Sequence, residues 1–173
     1  MTHDVRHGPV GVREAGSEDA EFLLDMLMAE VNRGAEQPLS RRQLLRDKVL
    51  SHYVAGWGRD DDIGLVAVDT GGPNGLQIPV GAAWLRFFTK KLPGRGFIDE
   101  AVPELTVGVT DPHRDRGIEL ALIRALVERA KGVGVKRISV TVAKDHPYRE
   151  TYDSAGFTHA RTGEHGHVLV LEI

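Results

Sequence analysis

Residues 104–142 read ELTVGVTDPHRDRGIELALIRALVERAKGVGVKRISVTV, a stretch whose hydrophobic period changes twice. Leu105, Val107 and Val109 alternate as they do on one face of a strand. The run stops at Asp111-Pro112, where the proline offers no N–H to a ladder. Ile118, Ala121, Leu122, Ala125 and Leu126 then recur at helical spacing, from about Gly117 to Lys131. Gly132–Gly134 closes this helix, as glycine does at a C-terminus, and a period of two returns in Lys136–Val142. Strand, helix and strand in this order form a right-handed crossover between parallel strands. The chain must therefore carry a sheet with a parallel pair in it.

The rest of the sequence surrounds that unit with antiparallel signals. Ile63–Thr70 and Ile78–Phe88 flank the turn-rich Gly71-Gly72-Pro73-Asn74-Gly75 and read as a hairpin. Val12–Ala15 is a short first strand and His167–Ile173 a last one. Ser17, followed by Glu18 and Asp19, caps a helix whose apolar face is Phe22, Leu23, Met26 and Leu27. Ser40 with Gln43 is a capping box for a second helix, with Leu44, Leu45, Val49 and Tyr53 toward the core. Pro147–Phe157 reads as a short helix with Pro147 in its first turn, ending at Gly156. The order β-α-α-β-β-β-α-β-α-β-β places the chain in the mixed α/β (α+β) class, with helices on the faces of a mixed sheet. Residues 1–10 read as a flexible N-terminal arm and 11–173 as a single domain.

Composition removes several function classes. A net charge of −3 gives no basic field, so no nucleic-acid partner is expected. No apolar run approaches membrane-spanning length, and no membrane partner is expected. The absence of cysteine excludes disulfides, thiolate metal sites and a cysteine nucleophile, and it fits a cytoplasmic location. His165 and His167 would share one strand face, and His3 and His7 have helical spacing; neither pair has acidic company, and no metal is expected.

The junction His113–Ile118 has the ingredients of an anion cradle. A helix N-terminus presents unpaired N–H groups. Gly117 permits close approach of the backbone, and Arg114 and Arg116 add fixed positive charge. A solvated turn with an ordinary cap has the same ingredients. No phosphate-loop lysine motif and no Gly-x-Gly-x-x-Gly fingerprint is present, which argues against nucleotide hydrolysis and dinucleotide binding.

Pro103–Phe157 resembles the central half of the GCN5-related N-acetyltransferase (GNAT) family. Arg114, Gly117 and Glu119 fall on the family's Arg/Gln-x-x-Gly-x-Gly/Ala acetyl-CoA loop. His146, Pro147, Tyr148, Thr151, Tyr152, Gly156 and Phe157 fall on its Asn-Pro-Ala and Leu-Tyr-x-x-x-Gly-Phe signature, with His146, Tyr148 and Thr151 departing from it. The resemblance implies a twisted, mostly antiparallel sheet whose parallel pair lies within 104–142, with helices on both faces. It also implies an acetyltransferase that moves an acetyl group from acetyl-CoA directly to a primary amine of a small molecule or of a protein. The cofactor-binding residues implied are Val107, Gly108 and Val109 on the strand, Arg114, Asp115, Arg116, Gly117, Ile118 and Glu119 at the junction, and His146. A bulge at Gly108 would turn the strand amides toward the ligand; a glycine packed under a bulky neighbour reads the same way in sequence. Tyr152 holds the family's general-acid position.

Glu104, at the start of the cofactor-contacting strand, is the candidate base; otherwise it is a solvent-facing strand-end carboxylate. Tyr152 is otherwise a packing tyrosine, and His146 otherwise a structural cap before Pro147. Glu119 has two readings. Its side chain either turns to solvent or pairs with Arg116 or Arg124, leaving its N–H to the ligand, or it marks a site that has lost its cofactor. The alternative function is accordingly a non-catalytic acyl-CoA-binding or interaction domain on the same fold. Trp57, Trp84 and Phe87 are core or acceptor-pocket wall, and Asp99 and Glu100 could attract a cationic amine. The acceptor belongs with the first two helices and the loop at 89–103, and the sequence is compatible with a homodimer.

Overall fold

The computed structural model describes residues 9–147 and 149–173. Tyr148 and most of the expected N-terminal arm, including His3 and His7, lie outside the described residues. Seven strands form one sheet in the order β1-β2-β3-β4-β5-β7-β6, with β1 Val10–Glu14, β2 Ile63–Asp69, β3 Ile78–Arg86, β4 Glu104–Val109, β5 Arg137–Val142, β6 Thr158–Gly163 and β7 Gly166–Glu172. Every neighbouring pair is antiparallel except β4 and β5. The first strand starts earlier than Val12, because Thr70 donates to the Pro9 carbonyl through both its N–H (2.9 Å) and its hydroxyl (2.8 Å).

The four helices are α1 Ala20–Val31, α2 Arg41–Arg46, α3 Ile118–Gly132 and α4 Arg149–Ala155. The inner strands are apolar on both sides, so the sheet separates two cores. Leu65, Ala67, Ala83, Leu85, Leu105, Val107 and Val109 pack toward α3 and α4. Val66, Val68, Ala82 and Trp84 pack toward α1 and α2. Trp57 and Trp84 belong to this second core, and Phe87 packs at the edge of the first.

The helix starts differ from the sequence reading in instructive ways. The turn before α1 is capped by Gly16 rather than Ser17, because the Asp19 carboxylate folds back to accept from the Gly16 N–H (2.7 Å) and from both Arg13 nitrogens (2.8 Å each). The Ser40–Gln43 box caps α2 as expected, with reciprocal bonds of 2.8 and 3.1 Å. The helix ends at Arg46, however, because Asp47 leaves helical geometry and accepts from the N–H groups of Val49 and Leu50 (2.9 Å each). The chain turns there, so Leu45 is exposed while Leu44 and Tyr53 are buried. The described residues of α4 begin at Arg149, whose N–H donates to the His146 carbonyl across Pro147 (3.4 Å).

Both α3 and α4 end in the same glycine-dependent cap. At α3, Gly134 (φ 88°) donates to Lys131 (3.1 Å) and Val135 donates to Ala130 (3.0 Å). At α4, Gly156 (φ 99°) donates to Asp153 and Phe157 donates to Tyr152 (3.1 Å each).

Candidate active site

Parallel strands β4 and β5 meet at one register pair, Glu104 with Ser139, where the Ser139 N–H donates to the Pro103 carbonyl (3.0 Å). Beyond it the strands diverge, and a cavity of about 240 Å³ opens between them. The free edge of β4 can be assigned from its other partner. The Thr110 N–H donates to Val80 of β3 (2.8 Å), so alternation turns the main chain of Glu104, Thr106 and Gly108 to β3 and that of Leu105, Val107 and Val109 to the cleft. The peptide groups there come free through the divergence of the strands.

The bulge expected at Gly108 is absent: the register of β3 with β4 is unbroken, and Gly108 pairs with Ala82. Its lack of a side chain serves packing, since a Cβ there would meet the Met26 carbonyl oxygen at 3.1 Å and the Met26 Cβ at 3.2 Å. Glycine at 108 lets α1 lie directly on β4. Its peptide is therefore engaged with β3, whereas those of Val107 and Val109 face the gap.

Glu104 sits at the closed end of the wedge and is 2 % exposed, not a solvent-facing strand end. Its Oε1 accepts from the Tyr53 hydroxyl (2.6 Å), the Gly96 N–H (3.0 Å) and the Thr141 hydroxyl (3.2 Å). Its Oε2 is buried with no hydrogen-bond partner. Burial outweighs these donors and lifts the carboxyl from 4.5 to about 7. The loop between β3 and β4 wraps this group with glycines: a Cβ on Gly94 would come within 2.2 Å of Oε2, and one on Gly96 within 3.0 Å of Oε1.

Tyr152 stands on the wall of the same cleft, 4 % exposed. The cap that ends α4 places its ring edge-on to Phe157 (5.9 Å between centroids), and His146 meets its other side (6.1 Å). Burial, then the negative charge of Glu30, holds its hydroxyl well above the ordinary phenol range, so it stays protonated. His146 also lines the cleft, with its Nε2 bonded to Glu30 of α1 (2.7 Å). Burial alone would raise Glu30; the His146 bond and charge, with Arg33, bring it below its usual value. His165 reaches the cleft wall from the turn before β7 and so does not share a strand face with His167.

The junction before α3 lies at the open end of the wedge. Asp115 (φ 61°) and Gly117 (φ 76°) are both left-handed, and Gly117 caps α3 with no side chain over the first-turn N–H groups. No atom lies within 4 Å of where a Gly117 Cβ would stand. Arg116 is exposed, while Arg114 pairs with Asp111 (2.7 Å). Ile118 anchors the helix start in the core. Glu119 is half-buried: it forms no ion pair with Arg116 or Arg124 among the described residues, and its Oε1 is buried without a partner. Its charge reaches Tyr152 and raises that hydroxyl further.

Sequence reasoning missed Tyr53, Thr141, Gly94 and Gly96 around the carboxylate, and Glu30, Arg33 and Arg95 on the wall. They come from four separate segments and carry no shared motif. Trp57, Trp84 and Phe87 do not line the cleft. Asp99 and Glu100 are occupied as acceptors for the N–H groups of Ala101 (2.9 Å) and Lys90 (3.0 Å) within their own loop. Among the described residues, no three His, Asp or Glu side chains come together in a way that could hold a metal ion.

The fold matches solved structures over 95% of the chain. A GCN5-related N-acetyltransferase from Kribbella flavida is 22% identical with a TM-score of 0.65 and 98% of that chain covered. A GNAT-family acetyltransferase from Staphylococcus aureus Mu50 is 13% identical with a TM-score of 0.68 and 99% covered. PaiA N-acetyltransferase from Thermoplasma acidophilum, solved in complex with coenzyme A, is 15% identical with a TM-score of 0.67 and 99% covered. No curated protein sequence matches. The family model described as "Acetyltransferase (GNAT) family" matches residues 25–157, most of the chain and every cleft residue named above except His165. This chain belongs to the acetyltransferase (GNAT) family.

Proposed function

We propose that the protein transfers an acetyl group from acetyl-CoA directly to a primary amine. The observation that carries this reading is the pairing on one cleft of a buried carboxyl and a buried phenol, each raised by that burial. Glu104 is a buried carboxyl near pKa 7, and Tyr152 is a phenol held protonated.

The junction fits the donor's diphosphate through its uncapped N–H groups, the open space at Gly117 and the exposed Arg116. The cleft-facing peptides of Val107 and Val109 suit its pantetheine arm. Acetyl-CoA supplies an acetyl group activated as a thioester. Glu104 takes a proton from the acceptor ammonium, which frees the nitrogen lone pair for the carbonyl carbon. As the C–N bond forms and the C–S bond breaks, Tyr152 gives its proton to the departing sulfur, and the second proton that the nitrogen sheds on becoming an amide passes through solvent to restore the phenol. The chain has no cysteine, which agrees with direct transfer.

Calorimetric titration with acetyl-CoA, followed by thiol release across a panel of amines, tests the reading. Binding and turnover are expected; absence of both at millimolar donor would sink it. Tyr152→Phe is expected to slow turnover by about tenfold or more while leaving acetyl-CoA affinity intact. Unchanged turnover removes Tyr152 from the reaction.

A further inference from the structure

The proposed chemistry leaves Arg95 without a task. This residue lies between Gly94 and Gly96, and its own N–H donates to the Tyr53 hydroxyl (2.9 Å). Its main chain is thus fixed by the contacts that fix Glu104. The side chain is partly buried on the cleft wall and makes no hydrogen bond or ion pair among the described residues. Arg33, on the same wall, is by contrast paired with Glu30 (3.1 Å). The Arg95 charge is felt by both Glu104 and Tyr53, drawing each downward against the larger effect of burial. A guanidinium with five N–H donors and no acceptor, facing a cavity, is suited to grip a planar anion with a two-pronged bond.

That anion is not the donor's diphosphate. Arg95 stands at the Glu104 end of β4, whereas the phosphate-suited junction follows Val109, about 17 Å along a strand of this length. The anion therefore belongs to the acceptor. A cavity of about 240 Å³ must hold the reacting end of the donor as well, so the part of the acceptor that reaches Glu104 and Arg95 is small.

We infer that the acceptor is a small amine carrying a carboxylate a few bonds from its nitrogen, as in a free amino acid, with Arg95 holding the carboxylate and Glu104 facing the ammonium. This inference rests on the acetyl-transfer reading above. It sets the protein apart from acetyltransferases that modify a lysine side chain within a protein, where no free carboxylate adjoins the amine.

Thiol release with acetyl-CoA is measured for matched sets: amino acids, their amides and their decarboxylated amines. In the best set the amino acid is expected to exceed both analogues in kcat/KM by about tenfold or more. Arg95→Gln, which removes a side chain without a partner, raises KM for the amino acid by a similar factor. Measured well above the Glu104 titration, where loss of the Arg95 charge does not change the ionisation of that carboxyl, it leaves kcat and the amide's kcat/KM within about twofold, and Arg95→Lys restores part of the loss. Equal kcat/KM within every set, or a carboxylate preference that survives Arg95→Gln, overturns the inference while leaving acetyl transfer standing. Should no amine release thiol, calorimetry with the same sets reads the inference by itself. Heat from an amino acid that disappears in Arg95→Gln supports it, and no heat from any amino acid overturns it.

Discussion

At the scale of single residues, the site is governed by what burial does to Glu104. A carboxyl lifted to about 7 is largely ionised only above neutrality, so a reaction that needs it as a base speeds up as pH rises through that value. With Tyr152 held well above 10, no falling limb from that hydroxyl is expected below pH 10. Glu104→Gln should lower kcat/KM by about a hundredfold and flatten the rising limb; a limb near 7 that persists in the variant assigns the base elsewhere. Glu119 poses the opposite problem, since its carboxylate lies in the turn that would face a diphosphate. Two unit charges at 4 Å repel by about 1 kcal/mol in water-like surroundings, so Glu119→Gln should tighten acetyl-CoA binding about fivefold. Calorimetry decides this, and unchanged or weaker affinity means that the side chain is turned from the phosphates. Tyr152 and Gly117 were legible because each sits in a short motif whose spacing is its signal. The state of Glu104 was not, because its burial is produced by Tyr53, Gly94, Gly96 and Thr141, which lie far apart in sequence or in a loop without periodicity.

At the scale of elements, the cap that ends α4 links local sequence to the proposed chemistry. Gly156 takes up φ 99°, which lets the Phe157 N–H return to the Tyr152 carbonyl and brings the two rings together. Position 156 thus orients position 152. A Cβ at 156 is strained at that φ and would meet Leu171 Cδ1 at 3.2 Å. Gly156→Ala should cost about 1–2 kcal/mol, from the left-handed backbone alone, and should lower kcat beyond what the stability loss explains. Chemical denaturation and steady-state kinetics on the same sample check the two effects, and a destabilised variant of normal kcat uncouples the cap from the site. Caps of this kind are readable in advance, which is why the ends of α3 and α4 and the Ser40–Gln43 start of α2 agree with the sequence. The end of α2 was hidden, since Asp47 suits a helix interior poorly but nothing local says that its carboxylate will start a new turn. Gly108 was equally silent. A bulge and a close helix contact both call for glycine, and only the position of Met26 separates them.

For the whole molecule, the divergence of β4 from β5 is the property on which the rest depends. A sheet paired throughout would bury the edge of β4, and there would be no cleft for Glu104 to face. Buried polar pairs brace the elements around it: Arg86, 1 % exposed, forks onto Asp62 (2.9 and 3.0 Å) and ties β3 to the turn before β2, and on the cleft wall His146 reaches Glu30 of α1. At Glu104 the ionised form that a base would need works against stability. Its folded pKa of about 7 exceeds the 4.5 of the unfolded chain, so the folded state holds the proton more tightly. The resulting stabilisation is fully present below pH 4.5 and is lost as pH rises through about 7. A shift of this size corresponds to about 3 kcal/mol. Asp19, Asp62 and Glu30, whose folded pKa values are depressed, act in the opposite sense and lose their stabilisation as pH falls. The Glu104 contribution is therefore isolated by difference. Between pH 4.5 and pH 8 the wild-type protein should lose about 3 kcal/mol of unfolding free energy relative to Glu104→Gln, because glutamine has no proton to give up and the other groups cancel. Urea denaturation of both proteins at the two pH values measures it. Parallel pH dependences would mean that the carboxyl titrates as it does in the unfolded chain, and the basis for Glu104 as a base at neutral pH would go with it.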